Sequence, residues 1–391
     1  MAEVGIMPTL LFTTFHRLYG ISYTLLGTLA VVCFVTQLAI DLIFSFFSHK
    51  FNVKKTVRLM PLITILGIVV FAVYPLLFPK TAYVGLVIGT VIFSVSAGLG
   101  EVLSSPLIAS IPSDNPDHEM SKLHSVYAWS AVFVVVVCTL FINFLNADIW
   151  YFLVLGLTVV PIISFVLFMR ADIPELPTTK NTKGALMLFK NKQVWLLFFA
   201  IFVGGATECT MSQWCSTFIE KALQIDKIWG DLFGVALFAL MLGVGRTLYG
   251  KYGKNLELIL VISGVAAVVC YLVAALSPIP ILGLIACALT GISASLMWPG
   301  MLTVSEKRVP SGVVMFALMA AGGDLGASAG PQAVGAITDY VSLNFPSLAE
   351  KLNLTSEQLG MKAGLLCASI LPITALVLFI IIYLTRNKKN A

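Results

Sequence analysis

Four carboxylic acids, Asp41, Glu101, Glu208 and Asp324, stand inside long apolar runs of this sequence. An ionised group at the centre of a lipid-embedded helix costs roughly 2.5–3.5 kcal/mol on insertion scales, so four of them require a use. Burial disfavours the charged form of a carboxyl group, which suits it to proton exchange, and its oxygens accept hydrogen bonds from a polar solute. Glu101 shows the clearest pattern. It lies in GLGEVLSSPLIASIP, from Gly98 to Pro112; on a helix its neighbours are Ser94, Ala97, Gly98, Ser104 and Ser105, with Ile108 the exception. Leu99 and Leu103 fall on the opposite side. A small, polar face that holds an acid points at a bundle interior or a wet cavity. Glu101 is therefore the first choice for a proton carrier, against the alternative of a structural acid bonded to a neighbouring helix.

Glu208 has Gly204 and Gly205 one turn before it and Ser212 one turn after, so it too faces a thin polar stripe. It is expected as a second proton site or as an acceptor for solute hydroxyls. Asp324, in GGDLGASAGP, is flanked by Ala320, Ala321, Ala327 and Ser328, which permit close helix approach. A bend at Gly322, Gly323, Gly330 and Pro331 would make this segment a gate; structure, gating and ligand contact all stay open for Asp324. Gln213, Trp214, Trp298 and, more weakly, Tyr127 with Trp129 are candidates for solute contact: an amide bonds hydroxyls, and an aromatic ring covers flat C–H faces. A lone tryptophan serves packing or the interface as readily. Lys122 and His124 fit the interfacial belt.

The elements that must carry these residues follow from composition. Of 391 residues 59% are hydrophobic and 11% charged, and the mean hydropathy is +0.97. Apolar runs of about twenty residues recur along the whole chain, the mark of a polytopic α-helical membrane protein. The spans read as 7–15 (partial), 23–48, 56–78, 83–111, 123–145, 150–169, 193–218, 229–250, 256–276, 279–303, 313–338 and 363–384. Twelve spans put both termini on one side. Of the 24 Lys and Arg, seventeen fall in loops on that side and six on the other, with Arg246 inside a span. This bias expects both termini in the cytoplasm. The +5 charge sits in short loops and does not suggest nucleic acid. The seven cysteines lack C-x-x-C spacing and read as packing residues, and the four histidines show no metal-ligand spacing.

The polar stretch 170–192 reads as a cytoplasmic linker between two six-helix bundles, 1–169 and 193–391. The loop 340–362 is expected to hold a short exterior helix in SLAEKLNL. The halves read as repeats. At a constant offset of 193, Gly98 matches Gly291, Leu103 matches Leu296 and Pro106 matches Pro299. Asp41, four residues before Ser45, and Arg246, four before Gly250, hold equivalent places; cytoplasmic-side gating, structural pairing and solute contact are open for both. Internal repeats around a site are a transporter signature. The repeat also shows that span one has seven residues before Pro8, against some eighteen apolar ones before Met211 in span seven. It is too short to cross about 30 Å at ~1.5 Å per residue. A misassigned start is expected, with gene truncation the alternative.

Twelve spans, two similar halves and a basic loop after span two resemble the major facilitator superfamily. Its loop motif runs G-x-x-x-D-[RK]-x-G-x-[RK]-[RK]. Here Ser45 stands for the first glycine, His49 for the aspartate, Lys50 for the basic residue and Asn52 for the second glycine, followed by Lys54 and Lys55. The second copy, GRTLYGKYGKN from Gly245, fits better through Arg246, Gly250 and Gly253. Within the superfamily the chain is most similar to the fucose-permease-like sugar:proton symporters, through GLGEVLSSP, GGATECTMSQW, SLMWPGMLTVSEKRVP and MFALMAAGGDLGASAGP. That resemblance implies a membrane acid in span four, where Glu101 sits, and another in span one.

The reading is an all-α membrane protein of two pseudo-symmetric six-helix bundles. It is expected to move a monosaccharide by proton-coupled alternating access in the cell membrane, as a monomer and without cofactor or metal. The acids Glu101 and Glu208 are assigned to protons; Gln213, Trp214, Trp298 and Tyr127 to solute; Asp41, Arg246 and Asp324 to gating. Proton-antiport efflux of drugs or amphiphiles is the nearest rival, and a non-transporting sensor a further one, though no regulatory soluble domain is seen. H-E-x-x-H and G-x-x-x-x-G-K-[ST] are missing from the sequence, and G-x-S-x-G occurs as Gly326 to Gly330, within the small-residue run that holds Asp324; neither an intramembrane enzyme nor ATP as energy source is expected.

Overall fold

The computed structural model describes residues 2–47, 51–112, 116–174, 190–309 and 313–386. The chain is a succession of helices: α1 (Ala2–Leu10), α2 (Phe12–Tyr19), α3 (Tyr23–Phe47), α4 (Val53–Leu77), α5 (Ala82–Ser110), α6 (Pro116–Leu145), α7 (Trp150–Leu157) and α8 (Val159–Arg170). After these come α9 (Lys192–Lys221), α10 (Lys227–Gly230), α11 (Leu237–Tyr252), α12 (Leu256–Leu276), α13 (Pro280–Ala294), α14 (Pro299–Arg308), α15 (Val313–Asn344), α16 (Pro346–Lys351), α17 (Ser356–Ala368) and α18 (Ile370–Leu384). Among the described residues, nine helical stretches are long and apolar enough to cross a membrane, and Trp129–Leu145 is a shorter apolar one. The short helix expected in SLAEKLNL is present as α16. The first segment is helical beyond the 7–15 read from its apolar run, in two pieces that meet at Leu11. His49 and Lys50 of the loop motif, and most of the stretch 170–192, lie outside the described residues.

Two compact units divide the chain: Met1–Ile21 with Val32–Leu186, and Ser22–Val31 with Met187–Ala391. The helix α3 thus begins in the second unit and continues in the first.

In the first unit, glycines let α4 and α5 touch along their length. A Cβ on Gly67 would stand 2.5 Å from the Phe93 backbone nitrogen, and one on Gly89 2.7 Å from that of Phe71. Thr64 and Ser96 exchange a hydrogen bond across this contact at 2.7 Å. Trp150 is fully enclosed, with Phe15 edge-on at 5.0 Å and Phe71 at 6.2 Å. Gly20, at φ 64°, ends α2 and turns the chain toward α3, a conformation open to glycine at no steric cost. The leucines opposite Glu101, Leu99 and Leu103, are buried with Val57 and Ile173.

In the second unit two spans are irregular, which the apolar runs alone do not show. Residues 295–298 interrupt one between α13 and α14. Pro299 is the cause: it has no N–H to give the Ser295 carbonyl one turn back, and its ring crowds that carbonyl. The other span holds a π turn, Asp231–Ala236, between α10 and α11. By contrast α15 stays helical through Gly322, Gly323, Gly330 and Pro331, so the expected bend there does not end the helix.

The helices α11 and α13 meet at Gly291, where a Cβ would stand 2.1 Å from the Phe238 carbonyl oxygen. Gly291→Ala must push two backbones apart and should cost about 1–3 kcal/mol. Gly156→Ala, with nothing within 4 Å of the new carbon, should be close to neutral. Thermal melting of the two variants in detergent checks the contrast; equal melting temperatures would contradict the packing.

Candidate functional site

Among the described residues, three clusters of interior polar groups bear on the predicted site, one in the first unit and two in the second. In the first unit, α3 and α5 cross at Gly98, where an added Cβ would lie 3.1 Å from the Gln37 Cα and 3.1 Å from the Ile40 Cβ. Asp41 is one turn beyond Gln37 on α3, and Glu101 nearly one turn beyond Gly98 on α5. The close crossing brings carboxylate oxygens of the two acids within 4.8 Å of each other. Asp41 is 5% exposed, and its Oδ1 has no hydrogen-bond partner among the described residues. Glu101 is half-buried. Two carboxylates this close, away from water, repel strongly unless a proton or cation lies between them. Spacing had assigned Asp41 to gating and Glu101 to protons; the fold makes them one pair.

In the second unit, Glu208 on α9 accepts from Arg246 on α11, Nη2 lying 3.0 Å from Oε1 and 3.3 Å from Oε2. Arg246 Nε donates to the Ser295 carbonyl at 3.0 Å, the oxygen that Pro299 leaves without a helical donor. One guanidinium thus neutralises a carboxylate and caps a broken helix. Glu208 and Arg246, given separate roles from the sequence, are partners. By the offset of 193, Glu101 falls on Ala294, next to Ser295, and by the loop motif Asp41 aligns with Arg246.

Trp214 is 1% exposed; its indole N–H donates to the Pro331 carbonyl at 2.9 Å, and Tyr23 packs edge-on at 5.9 Å. In this structure its N–H is taken and its ring is enclosed. Gln213 is buried as well. Trp298 stands at the helix break, with its ring against the glycine faces of α9 and α15: a Cβ on Gly205 would meet it at 3.0 Å, and one on Gly323 at 2.6 Å. Asp324 is buried on α15 near the tight contact of Gly326 with the Phe202 carbonyl. Tyr127 shares a face of α6 with the buried Ala131 and Val134 and is half-exposed at its end.

Sequence reasoning missed the third cluster. Lys227 Nζ lies 2.6 Å from Ser216 Oγ, 3.3 Å from Asp231 Oδ2 and 3.8 Å from Glu220 Oε2. Asp231 is fully buried at the start of the π turn. The i, i+4 spacing of Lys227 and Asp231 was the available signal.

Residues 1–331 match the family model of the Major Facilitator Superfamily, and the chain belongs to that superfamily. A search among curated proteins finds no match. Among solved structures the fold is similar to a bacterial homologue of the human lysosomal transporter Spinster, inward-facing and occupied. The two share 11% identity over 98% of this chain and 94% of that one, with a TM-score of 0.72. It is also similar to a D-xylose-proton symporter (14% identity, 95% and 93% coverage, TM-score 0.72). A third is the E. coli fucose:proton symporter FucP (11%, 97% and 95%, 0.65). These likenesses establish the all-α, multi-pass membrane fold of the superfamily's transporters.

Proposed function

We propose that the protein is a secondary active transporter that moves a small polar solute together with a proton, and that Asp41 and Glu101 hold the proton as a pair. The observation that carries this reading is the approach of two interior carboxylates to within 4.8 Å. One proton relieves their repulsion and lets one carboxyl donate to the other; losing it restores the repulsion, so the proton state is tied to how closely α3 and α5 pack. Glu208 is already matched by Arg246. It serves better as a fixed acceptor beside the solute than as a second proton carrier.

A monosaccharide is the favoured solute. The polar groups near the helix break form a neutral, hydrogen-bonding set with one tryptophan, Trp298, suited to hydroxyls and C–H faces. The solute class and proton coupling agree with the printed functions of the xylose and fucose symporters that share the fold. Alternating access by a repeat-built transporter supplies the cycle. Asp324 keeps the gating role, and Lys and Arg placement favours cytoplasmic termini in the cell membrane, with a monomer as the working unit.

The test is uptake into liposomes of purified protein under an inward proton gradient, with a panel of radiolabelled monosaccharides and a cationic dye. At least one sugar should accumulate, and a protonophore should abolish accumulation. Dye movement without sugar uptake would replace the reading with efflux, and sugar uptake indifferent to the gradient would remove the proton.

A further inference from the structure

At one end of the second unit α11, α14 and α18 finish and α12 begins. The four ends share one core, to which Tyr249, Leu256, Val304 and Ile382 belong. Four cations collect there: Lys251, Lys254, Arg308 and Arg386. The two arginines are tied to neutral acceptors. Arg308 donates through Nη1 to Thr385 Oγ1 at 3.1 Å and through Nη2 to the Ile382 carbonyl. Arg386, the residue after Thr385, donates to Asn255 Oδ1 at 3.0 Å and lies over the Tyr383 ring at 4.0 Å. Asn255 starts α12, yet its side chain makes no cap there and serves Arg386 instead. Lys254 is exposed beside it, and Lys251, also exposed, lies 5.2 Å from the Tyr252 ring centre. Glu257 lies near Arg308. Among the described side chains, none of the four cations is in an ion pair. Bonds to neutral atoms fix the two guanidinium groups, cancel none of their charge and leave further N–H donors on each.

An apolar groove leads away from these charges. The helices α12 and α18 touch at Gly264, where a Cβ would stand 3.1 Å from the Leu376 Cα. Between that contact and the cations, Leu258 and Ile262 on α12 and Ile381 and Leu384 on α18 stay exposed, Ile262 by 58% and Leu384 by 72%. In a multi-pass membrane protein such side chains meet lipid tails. Tyr252, exposed at the cationic end, suits the level where headgroup and tail join. A soluble anion would use the charges and leave the groove idle. A neutral lipid would do the reverse. A molecule with a negative headgroup and apolar chains uses both.

We infer that this corner is a binding site for an anionic phospholipid, with its headgroup on Lys251, Lys254, Arg308 and Arg386 and its acyl chains in the groove between α12 and α18. The site stands whatever solute the protein moves. The test uses the purified full chain in a neutral detergent, titrated with dioleoylphosphatidylglycerol or dioleoylphosphatidylcholine and read by native mass spectrometry. The wild-type protein should hold phosphatidylglycerol at least tenfold more tightly than phosphatidylcholine.

Lys251→Gln with Lys254→Gln changes two exposed side chains that the fold does not need. The pair should weaken phosphatidylglycerol binding by about fivefold for each charge, about 25-fold together, and leave phosphatidylcholine binding unchanged. Lys55→Gln with Arg170→Gln removes two exposed cations of the first unit and should change neither. A large excess of glycerol phosphate should fail to displace the lipid, because it lacks the chains. Equal affinity of the wild-type protein for both lipids would overturn the site. So would an equal loss in the two variant pairs, which would mark diffuse charge, or displacement by glycerol phosphate, which would mark an anion site without the groove.

Discussion

Glu101→Gln should abolish accumulation driven by a proton gradient while solute exchange across the membrane continues. Glutamine keeps the size and hydrogen-bonding reach of the acid but cannot lose a proton. It imitates the protonated pair permanently, so solute can still bind and cross. What disappears is the linkage between proton and solute, which in coupled systems amounts to about 1–3 kcal/mol, or roughly 5–150-fold in affinity. Asp41→Asn should produce the same phenotype if the two carboxylates, with oxygens within 4.8 Å, share the proposed proton. The double variant should be no worse than either single one, since groups that act as a unit are not additive. Accumulation and counterflow in liposomes, with one sugar at two pH gradients, separate these outcomes. Full accumulation by Glu101→Gln would take Glu101 out of the mechanism.

The route from sequence to this pair shows what a chain discloses. The helices were legible because each needs about twenty apolar residues, and such runs survive any detail of packing. The polar face of Glu101 was legible for the same local reason: i, i+3 and i+4 neighbours are set by helix geometry. Which acid meets which was not. Asp41 and Glu101 are brought together by the crossing of α3 and α5 at Gly98, which in the sequence marked only the small face of Glu101 and a place in the repeat. Nor was the setting of Trp214 legible, because an indole looks the same in sequence whether its N–H faces a cavity or the Pro331 carbonyl. The break before Pro299 could have been read. A proline removes the donor to the carbonyl four residues back, so Ser295 needed another donor, and Arg246 was an arginine deep within a neighbouring span. That inference was open from spacing alone, given the matched positions of the two halves.

Arg246→Met should be the most damaging single change to stability. It strands two acceptors at once: Glu208, whose side chain is 13% exposed, and the Ser295 carbonyl at the helix break. Removing one partner of a largely buried ion pair costs about 3–5 kcal/mol, because the other charge stays buried and uncompensated. Arg246→Lys should recover little. An ammonium is a point donor and cannot span the two directions in which Nε and Nη2 point. Two second-site changes divide the loss. Glu208→Gln beside Arg246→Met removes the stranded charge and should return most of the stability, since a neutral pair in place of an ion pair is often tolerated. Pro299→Ala beside Arg246→Met restores an N–H to the Ser295 carbonyl and should return a smaller part, about 1 kcal/mol for one hydrogen bond. Melting temperatures in detergent measure each step, and transport then assigns the role of Glu208. A stable double variant that no longer moves the sugar marks Glu208 as a solute contact. One that transports normally marks the ion pair as scaffolding for the break, and the solute-binding groups must then be sought at Trp298 and its neighbours.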